Sequence, residues 1–101
     1  MECIFCKIIK KEAPADFVYE DDKIIGIKDI HPKAPFHVLI IPKEHIASVN
    51  ELENKELIGD LAWVARKIAK DKNLNSYKLL INVGRPAGQL IDHLHLHLLS
   101  R

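Results

Sequence analysis

Residues 93–98 alternate histidine and leucine without interruption, and this pattern constrains the fold more than any other part of the chain. Alternation at a period of two predicts a β-strand whose successive side chains point to opposite faces of a sheet. One face then carries the imidazoles of His93, His95 and His97, and the other carries three leucines that need a hydrophobic core. The chain must therefore build a sheet that buries one face of its last strand.

Further strands and two helices are predicted ahead of this segment. Apolar spacing and turn signals indicate a short helix at 5–11, strands at 17–19, 24–27, 37–41 and 77–82, and one long helix with apolar positions from Leu57 to Ile68. Strands before and after a single long helix, joined by short connections, favour an α+β fold. We therefore expect a five-stranded, mainly antiparallel sheet with the helix on one face and the apolar 37–41 strand in its middle.

Composition narrows the function. The 101 residues are 48% hydrophobic and 29% charged, a balance typical of one compact soluble domain. Fifteen Lys and Arg residues face fourteen Asp and Glu residues, which leaves no excess positive charge for a nucleic-acid backbone. The longest aliphatic run, Val38 to Ile41, is far shorter than the roughly 18 residues of a membrane span, and no signal-peptide pattern opens the chain. We expect a cytoplasmic protein that binds neither nucleic acid nor membrane, and one small enough to gain from dimerisation.

Three clustered imidazoles indicate a catalytic or metal-binding site, because imidazole acts as a base, acid, nucleophile or metal ligand near neutral pH. The alternatives from spacing alone are a polar surface, a contact between chains, and a catalytic zinc ion held by all three. Glycines and an amide just ahead of the strand, Gly84, Gly88 and Gln89, suit a phosphate group better than a metal, since glycine lets backbone N–H groups approach an anion.

The chain resembles the histidine-triad (HIT) family, whose signature His-x-His-x-His matches residues 93–97. Further matching segments lie at 4–9, 29–37, 41–45 and 82–89, and the resemblance is strongest to the Hint branch of purine nucleoside phosphoramidases. It implies a single HIT domain over residues 1–101 and a homodimer whose sheets join into ten strands. It also implies a hydrolase that cleaves purine nucleoside 5′-phosphoramidates through a nucleotidyl-histidine intermediate. The alternatives are a dinucleoside polyphosphate hydrolase of the same superfamily and a non-catalytic nucleotide-binding dimer.

The resemblance also implies roles for single residues. His95 is expected to be the nucleophile at the α-phosphorus, which splits one displacement into two easier ones. His97 and Gln89 are expected to contact the reacting phosphate and the leaving group, and His93 and His37 to orient the nucleophile.

The implied nucleotide site uses further residues. Asp29 is expected to accept hydrogen bonds from the ribose, and Asn82 with Gly88 to contact the phosphate. Four apolar side chains are expected to enclose the purine, although plain core packing is an equal alternative for them: Ile4, Phe5, Ile8 and Ile30.

Cys3 and Cys6 form a C-x-x-C pair, which in a reducing compartment indicates a metal or redox site. Some HIT proteins that resemble this chain hold zinc through two N-terminal cysteines and two histidines, here Cys3, Cys6, His45 and His93. The resemblance thus implies a structural zinc ion that is not needed in the chemical step. The alternative is a pair of reduced, partly buried thiols.

The chain departs from the Hint branch at two places. Leu90 stands where that branch commonly has serine, which removes a hydroxyl donor beside the phosphate. The sequence also stops at Arg101, without the C-terminal tail of Hint enzymes. Both departures bear on the rate and on the choice of leaving group.

Overall fold

Five strands form one antiparallel sheet in the computed structural model, which describes residues 3–101. In chain order the elements are α1 (Ile4–Ile9), β1 (Phe17–Glu20), β2 (Ile24–Lys28), β3 (Phe36–Pro42), α2 (Glu56–Asp71), β4 (Lys78–Leu80) and β5 (Leu96–Ser100), with 3₁₀ turns at Val49–Glu51 and Arg85–Ala87. The spatial order is β1-β2-β3-β5-β4, and each neighbouring pair is antiparallel. The expected α+β fold is confirmed, with β3 in the middle of the sheet. Within residues 3–101, no helix combines the length and the apolar character needed to cross a bilayer.

The sheet separates two hydrophobic clusters. On one face, α2 packs against the inward side chains of β3 and β5, and Leu94, Leu96 and Leu98 all lie in this cluster. On the other face, α1 inserts Phe5 and Ile8 among apolar side chains of β2 and β3. The predicted division of the two faces is therefore confirmed. The leucines enter the core beneath α2, and the intervening histidines lie on the face that carries α1.

The final strand is shorter than the alternation predicts, because β5 begins at Leu96 and leaves His93 and His95 ahead of it. Ile40 pairs with Leu96, so the same register extended by two residues would place Leu94 opposite Pro42. Proline has no N–H to donate to a strand ladder. The Leu94 N–H instead donates to the Ile46 carbonyl at 2.7 Å, and the segment that holds two of the three histidines follows the loop after β3.

Two other elements end two residues earlier than predicted. Helix α1 covers Ile4–Ile9 rather than 5–11, because Lys11 adopts a left-handed backbone with φ of 63°. Strand β4 covers Lys78–Leu80 rather than 77–82, since it pairs with only three residues of β5 before the chain turns toward the glycine loop. Helix α2 starts where the Asn54 side chain accepts a hydrogen bond from the Glu56 N–H at 2.9 Å.

Candidate active site and adjoining cysteine–histidine cluster

His95 presents an unprotonated ring nitrogen to the α1 side of the sheet. Its Nδ1 lies 2.8 Å from the His93 carbonyl oxygen, which can only accept a hydrogen bond. The proton of the neutral ring therefore sits on Nδ1, and Nε2 carries the lone pair. Burial lowers the pKa of His95 below its ordinary value, so the ring stays neutral at physiological pH. A buried, neutral imidazole with its Nε2 lone pair available has the form that a nucleophile needs.

Phe5 holds the His95 ring from the side of α1. Its ring meets His95 edge-on with 5.2 Å between centroids and meets His93 in the same manner at 5.7 Å. Such edge-to-face pairs contribute about 0.5–1.5 kcal/mol beyond the area they bury. Phe5 is only 3% exposed. Its observed contacts are thus with two of the triad imidazoles.

His97 is fixed in the complementary orientation by His37. The Lys33 N–H donates to His37 Nδ1 at 3.0 Å, so the proton of neutral His37 sits on Nε2. That Nε2 lies 2.9 Å from His97 Nδ1 and 3.4 Å from an oxygen of Asp29. His97 Nδ1 therefore accepts a hydrogen bond, and its proton lies on Nε2. Of the two neighbouring rings, with centroids 4.9 Å apart, one offers a lone pair and the other a donor.

The electrostatics keep these rings neutral. Burial, reinforced by the neighbouring rings of His95 and His37, lowers the pKa of His97 to about 4. Burial also lowers the pKa of His37, although the Asp29 carboxylate opposes that shift. The other oxygen of Asp29 accepts a hydrogen bond from the His31 N–H at 2.8 Å. The site thus holds one carboxylate and neutral imidazoles with assigned donor and acceptor nitrogens.

The glycine loop ahead of the histidines is shaped by a buried amide. Gln89 is 2% exposed, and its Oε1 accepts the Gly84 N–H at 2.9 Å. Its Nε2 donates to the carbonyls of Ala47 and Ile91 at 2.7 and 3.0 Å. Direct contact of this amide with a phosphate group, as the resemblance implies, would require one of these bonds to break. In this structure Gln89 positions the loop.

Two glycines allow the loop to fold back beside Asn82. Gly84 and Gly88 have φ values of 88° and 107°, where side chains are strained. A Cβ on Gly88 would lie 3.5 Å from the Asn82 side chain, whose Nδ2 donates to the Gly88 carbonyl at 3.5 Å. Asn82 and Gly88, the two expected phosphate contacts, are therefore together at the base of the loop.

The four apolar residues expected around the purine fall into two groups. Phe5 and Ile8 are buried in the α1 core, whereas Ile4 is half-exposed and Ile30 is 83% exposed. Plain core packing describes the first pair. Ile4 and Ile30 present apolar surface that a base could cover.

A second cluster lies beside the first and is built from Cys3, Cys6, His45 and His93. One donor atom from each residue lies within 4.8 Å of all the others. Cys3 Sγ is 3.4 Å from His93 Nδ1, Cys6 Sγ is 3.3 Å from His45 Nδ1, and the two Nδ1 atoms are 3.1 Å apart. Tetrahedral zinc with bonds of about 2.0–2.3 Å requires donor separations of roughly 3.3–3.8 Å. The two sulfur–nitrogen distances lie in that range and the separation of the Nδ1 atoms lies just below it, so these four side chains fit the ion after a small shift of one ring.

The orientation of His93 also suits a metal ligand. Its Nε2 donates to the Pro42 carbonyl at 2.8 Å, which leaves the Nδ1 lone pair directed into the cluster. Burial, and next the Cys3 thiol, raise the pKa of Cys6. A bound cation would oppose this rise in the pKa of Cys6, since it stabilises the thiolate form.

The three triad histidines do not converge on one metal. His93 Nδ1 faces the cysteines, His95 Nδ1 is bonded to the His93 carbonyl, and His97 Nδ1 accepts a hydrogen bond from His37. The donor atoms of Asp29, His37 and His97 also lie within 4.8 Å of one another. The Lys33 N–H on His37 Nδ1 nevertheless keeps a proton on Nε2, which makes this set a hydrogen-bond chain. A catalytic zinc held by the whole triplet does not fit this geometry.

The backbone groups that orient these side chains cannot be identified from the sequence. The carbonyls of Pro42, Ala47 and His93 and the N–H of Lys33 each fix one functional side chain. Residue types carry no signal for a backbone contact, because every residue offers the same carbonyl. Only the proline at 42, which ends the ladder, marks such a position in the sequence.

Comparison with known proteins agrees with this architecture. A family model described as "Scavenger mRNA decapping enzyme C-term binding" matches residues 2–101. The purine nucleoside phosphoramidase of Escherichia coli K12 is 43% identical over 98% of this chain and 87% of its own length. Protein HitA of Neisseria gonorrhoeae is 45% identical over 97% of this chain and 94% of its own.

Solved structures give the same result. A HIT family hydrolase from Clostridium thermocellum superposes with a TM-score of 0.95 at 50% identity, covering 99% of this chain and 90% of that one. A zinc-bound histidine triad family protein from Mycobacterium smegmatis has a TM-score of 0.93 at 35% identity, covering 100% of this chain and 76% of that one. The chain belongs to the histidine-triad family.

Proposed function

We propose that the protein hydrolyses purine nucleoside 5′-phosphoramidates to a nucleoside monophosphate and an amine, with His95 as the nucleophile. The observation that carries the proposal is that the two neighbouring rings are in opposite tautomers. The Nε2 atom of His95 offers a lone pair, and the Nε2 atom of His97 carries a proton. The phosphoramidase of Escherichia coli, at 43% identity, supports the choice of substrate.

The geometry suits a two-step displacement. His95 Nε2 would attack the α-phosphorus as the P–N bond breaks, and the amine would leave with a proton taken from the solvent. Water would then attack the phosphorus, break its bond to His95 Nε2 and release the nucleotide, returning a proton to the solvent. While phosphorylated, the His95 ring carries a positive charge, and its Nδ1–H bond to the His93 carbonyl stabilises that charge. The His97 Nε2–H would donate to a phosphoryl oxygen, where negative charge grows.

Substrate binding would use the groups around the two rings. Asp29 would accept from the ribose, the base would cover Ile4 and Ile30, and Asn82 with Gly88 would lie near the phosphate. His37 would act as a positioning residue, because it holds the tautomer of His97.

We also propose that Cys3, Cys6, His45 and His93 hold a structural zinc ion. The ion would tie α1 to the segment ahead of β5 and take no part in the reaction. Metal analysis of purified protein should find one zinc per chain, and Cys3→Ser should reduce that content. Less than half a zinc per chain in the wild type, with no change in the variant, would count against the site.

A homodimer that continues the sheet is a further proposal. β4 lies at one edge of the sheet, and Tyr77, Leu79 and Leu80 on or beside it are about two-fifths exposed. An apolar edge strand is a ready surface for pairing with a second copy. Analytical ultracentrifugation should give twice the chain mass, and Leu79→Lys should shift the protein toward monomer.

The decisive experiment is AMP release from an adenosine 5′-phosphoramidate that carries a simple amine. His95→Ala should abolish release, whereas His31→Ala should keep it, because the His31 side chain is exposed and outside the triad. Intact release by His95→Ala would refute the mechanism. No release by the wild type, with cleavage of a dinucleoside polyphosphate, would favour the other hydrolase of the superfamily. Measurable AMP affinity with no turnover of either would favour a binding dimer.

A further inference from the structure

Two thiols lie close together at the start of α1. Cys3 is the residue that caps the helix, and its sulfur accepts the Cys6 N–H at 3.4 Å. Both cysteines are free of disulfides and partly exposed. Their sulfurs belong to the group of atoms that lie within 4.8 Å of one another.

A disulfide between them requires only a small movement. Residues three apart on a helix have Cβ atoms about 5–6 Å apart, and a disulfide needs about 3.5–4.5 Å. Cys3 has the extended backbone of a helix cap, with φ of −113° and ψ of 122°. Of its backbone groups, only the carbonyl joins the helix, through the Lys7 N–H at 3.0 Å, so rotation of its side chain can close this gap.

The two sulfurs differ in their neighbours. Cys6 Sγ lies against the exposed ring of His45 as well as against His93, whereas Cys3 Sγ lies against the fully buried ring of His93. An external reagent therefore meets Cys6 first, and Cys3 remains within reach behind it.

We propose that Cys3 and Cys6 are a reversible thiol–disulfide pair that is oxidised by small-molecule disulfides. The Cys6 sulfur attacks the reagent R–S–S–R, forms a mixed disulfide and releases one R–SH. The Cys3 sulfur then attacks the Cys6 sulfur, forms the Cys3–Cys6 bond and releases a second R–SH. The two thiol protons leave on the two R–SH molecules, and the reagent is reduced as the protein is oxidised.

Oxidation would reach both the metal cluster and the active site. It removes the two sulfur donors and leaves His45 and His93, which are too few to hold zinc in a closed site; this half of the inference rests on the proposed zinc site. The same helix carries Phe5 against His95, and His93 supplies the carbonyl that orients the His95 ring. The pair therefore links the redox state of the surroundings to the position of the nucleophile.

The test uses metal-free wild-type protein, oxidised glutathione as the reagent, and intact mass as the readout. The wild type should lose the mass of two hydrogens, and a peptide map should join Cys3 to Cys6 within one chain. Cys3→Ser should instead retain one glutathione at Cys6, and Cys6→Ser should react at least several-fold more slowly. The oxidised wild type should lose zinc binding and regain it after reduction with dithiothreitol.

Three results would overturn the inference. The first is two free thiols in the wild type after exposure to oxidised glutathione, and the second is a disulfide that joins two chains. The third is an equal rate of reaction with oxidised glutathione for the two serine variants. None of these readings depends on turnover, so failure of the thiol pair is distinct from failure of the phosphoramidase proposal. Normal disulfide formation in a protein that never binds zinc would remove only the zinc-site proposal.

Discussion

Replacing Gln89 with leucine should destabilise the whole fold, because its amide ties two groups of its own loop, at Gly84 and Ile91, to the distant carbonyl of Ala47. The Gly84 N–H and the Ala47 carbonyl lose this partner, whereas the Ile91 carbonyl keeps its hydrogen bond from the His93 N–H at 2.8 Å. A buried backbone group left unpaired costs about 1–3 kcal/mol, and the added apolar burial of leucine offsets part of the sum. We expect the free energy of unfolding to fall by about 2–4 kcal/mol, which for a domain of this size lowers Tm by roughly 10–25 °C.

The measurement separates positioning from direct contact with substrate. Thermal unfolding followed by far-UV circular dichroism gives Tm, and AMP release at a temperature where both proteins are folded gives kcat and KM. Asn50→Leu is the matched control, since it exchanges an amide outside the site for the same side chain. If Gln89 acted only by touching the phosphate, Tm would be unchanged and turnover alone would fall. An unchanged Tm in Gln89→Leu would therefore refute the positioning role of this amide.

Three more outcomes are expected. Burial lowers the pKa of His97 from 6.5 to about 4, so between these values the unfolded chain binds a proton that the folded chain does not. Stability should therefore fall as pH drops through this window, and a thermal-unfolding series at stepped pH should show it. His97→Gln should reduce the slope without removing it, because burial also lowers the pKa of His37 and His95. Phe5→Leu should lower kcat more than it changes KM, because it removes the ring that packs on His95, and it should lower the free energy of unfolding by about 1–3 kcal/mol. Equal kcat values for the variant and the wild type in the AMP-release assay would contradict this. Leu90→Ser should raise turnover without changing Tm, because Leu90 is 72% exposed and stands where the resemblance to the Hint branch implies a hydroxyl donor. Unchanged turnover would remove the donor argument.

The sequence allows the sheet to be predicted because its strongest patterns are local. The alternation at 93–98 assigns leucines to one core and histidines to the other face, and the structure agrees. The apolar run around Val38 predicts a central strand, since burial on both faces leaves no polar alternation. Neither inference needs a partner residue to be known.

Other features depend on partners that the sequence does not identify. The start of β5 at Leu96 follows from Pro42 standing opposite Leu94, which becomes visible only once the register is known. The interior position of Gln89 follows from carbonyls at Ala47 and Ile91, which any residue would offer. From the sequence alone, the Gln89 side chain beside a glycine loop therefore suggests a contact with a ligand, whereas in the structure its hydrogen bonds go to the protein backbone.

The same break in the ladder explains why three similar histidines acquire three different environments. His97 lies inside β5, where the strand pairing places it opposite Leu39 and beside His37, and it becomes an acceptor at Nδ1. His93 and His95 lie ahead of the strand, so their rings are oriented by the backbone: the Pro42 carbonyl takes the proton of one, and the His93 carbonyl takes that of the other. A strand that ran unbroken from His93 would engage those carbonyls in its ladder. The shorter strand frees them, and it thereby joins a candidate metal ligand to a candidate nucleophile through one peptide oxygen.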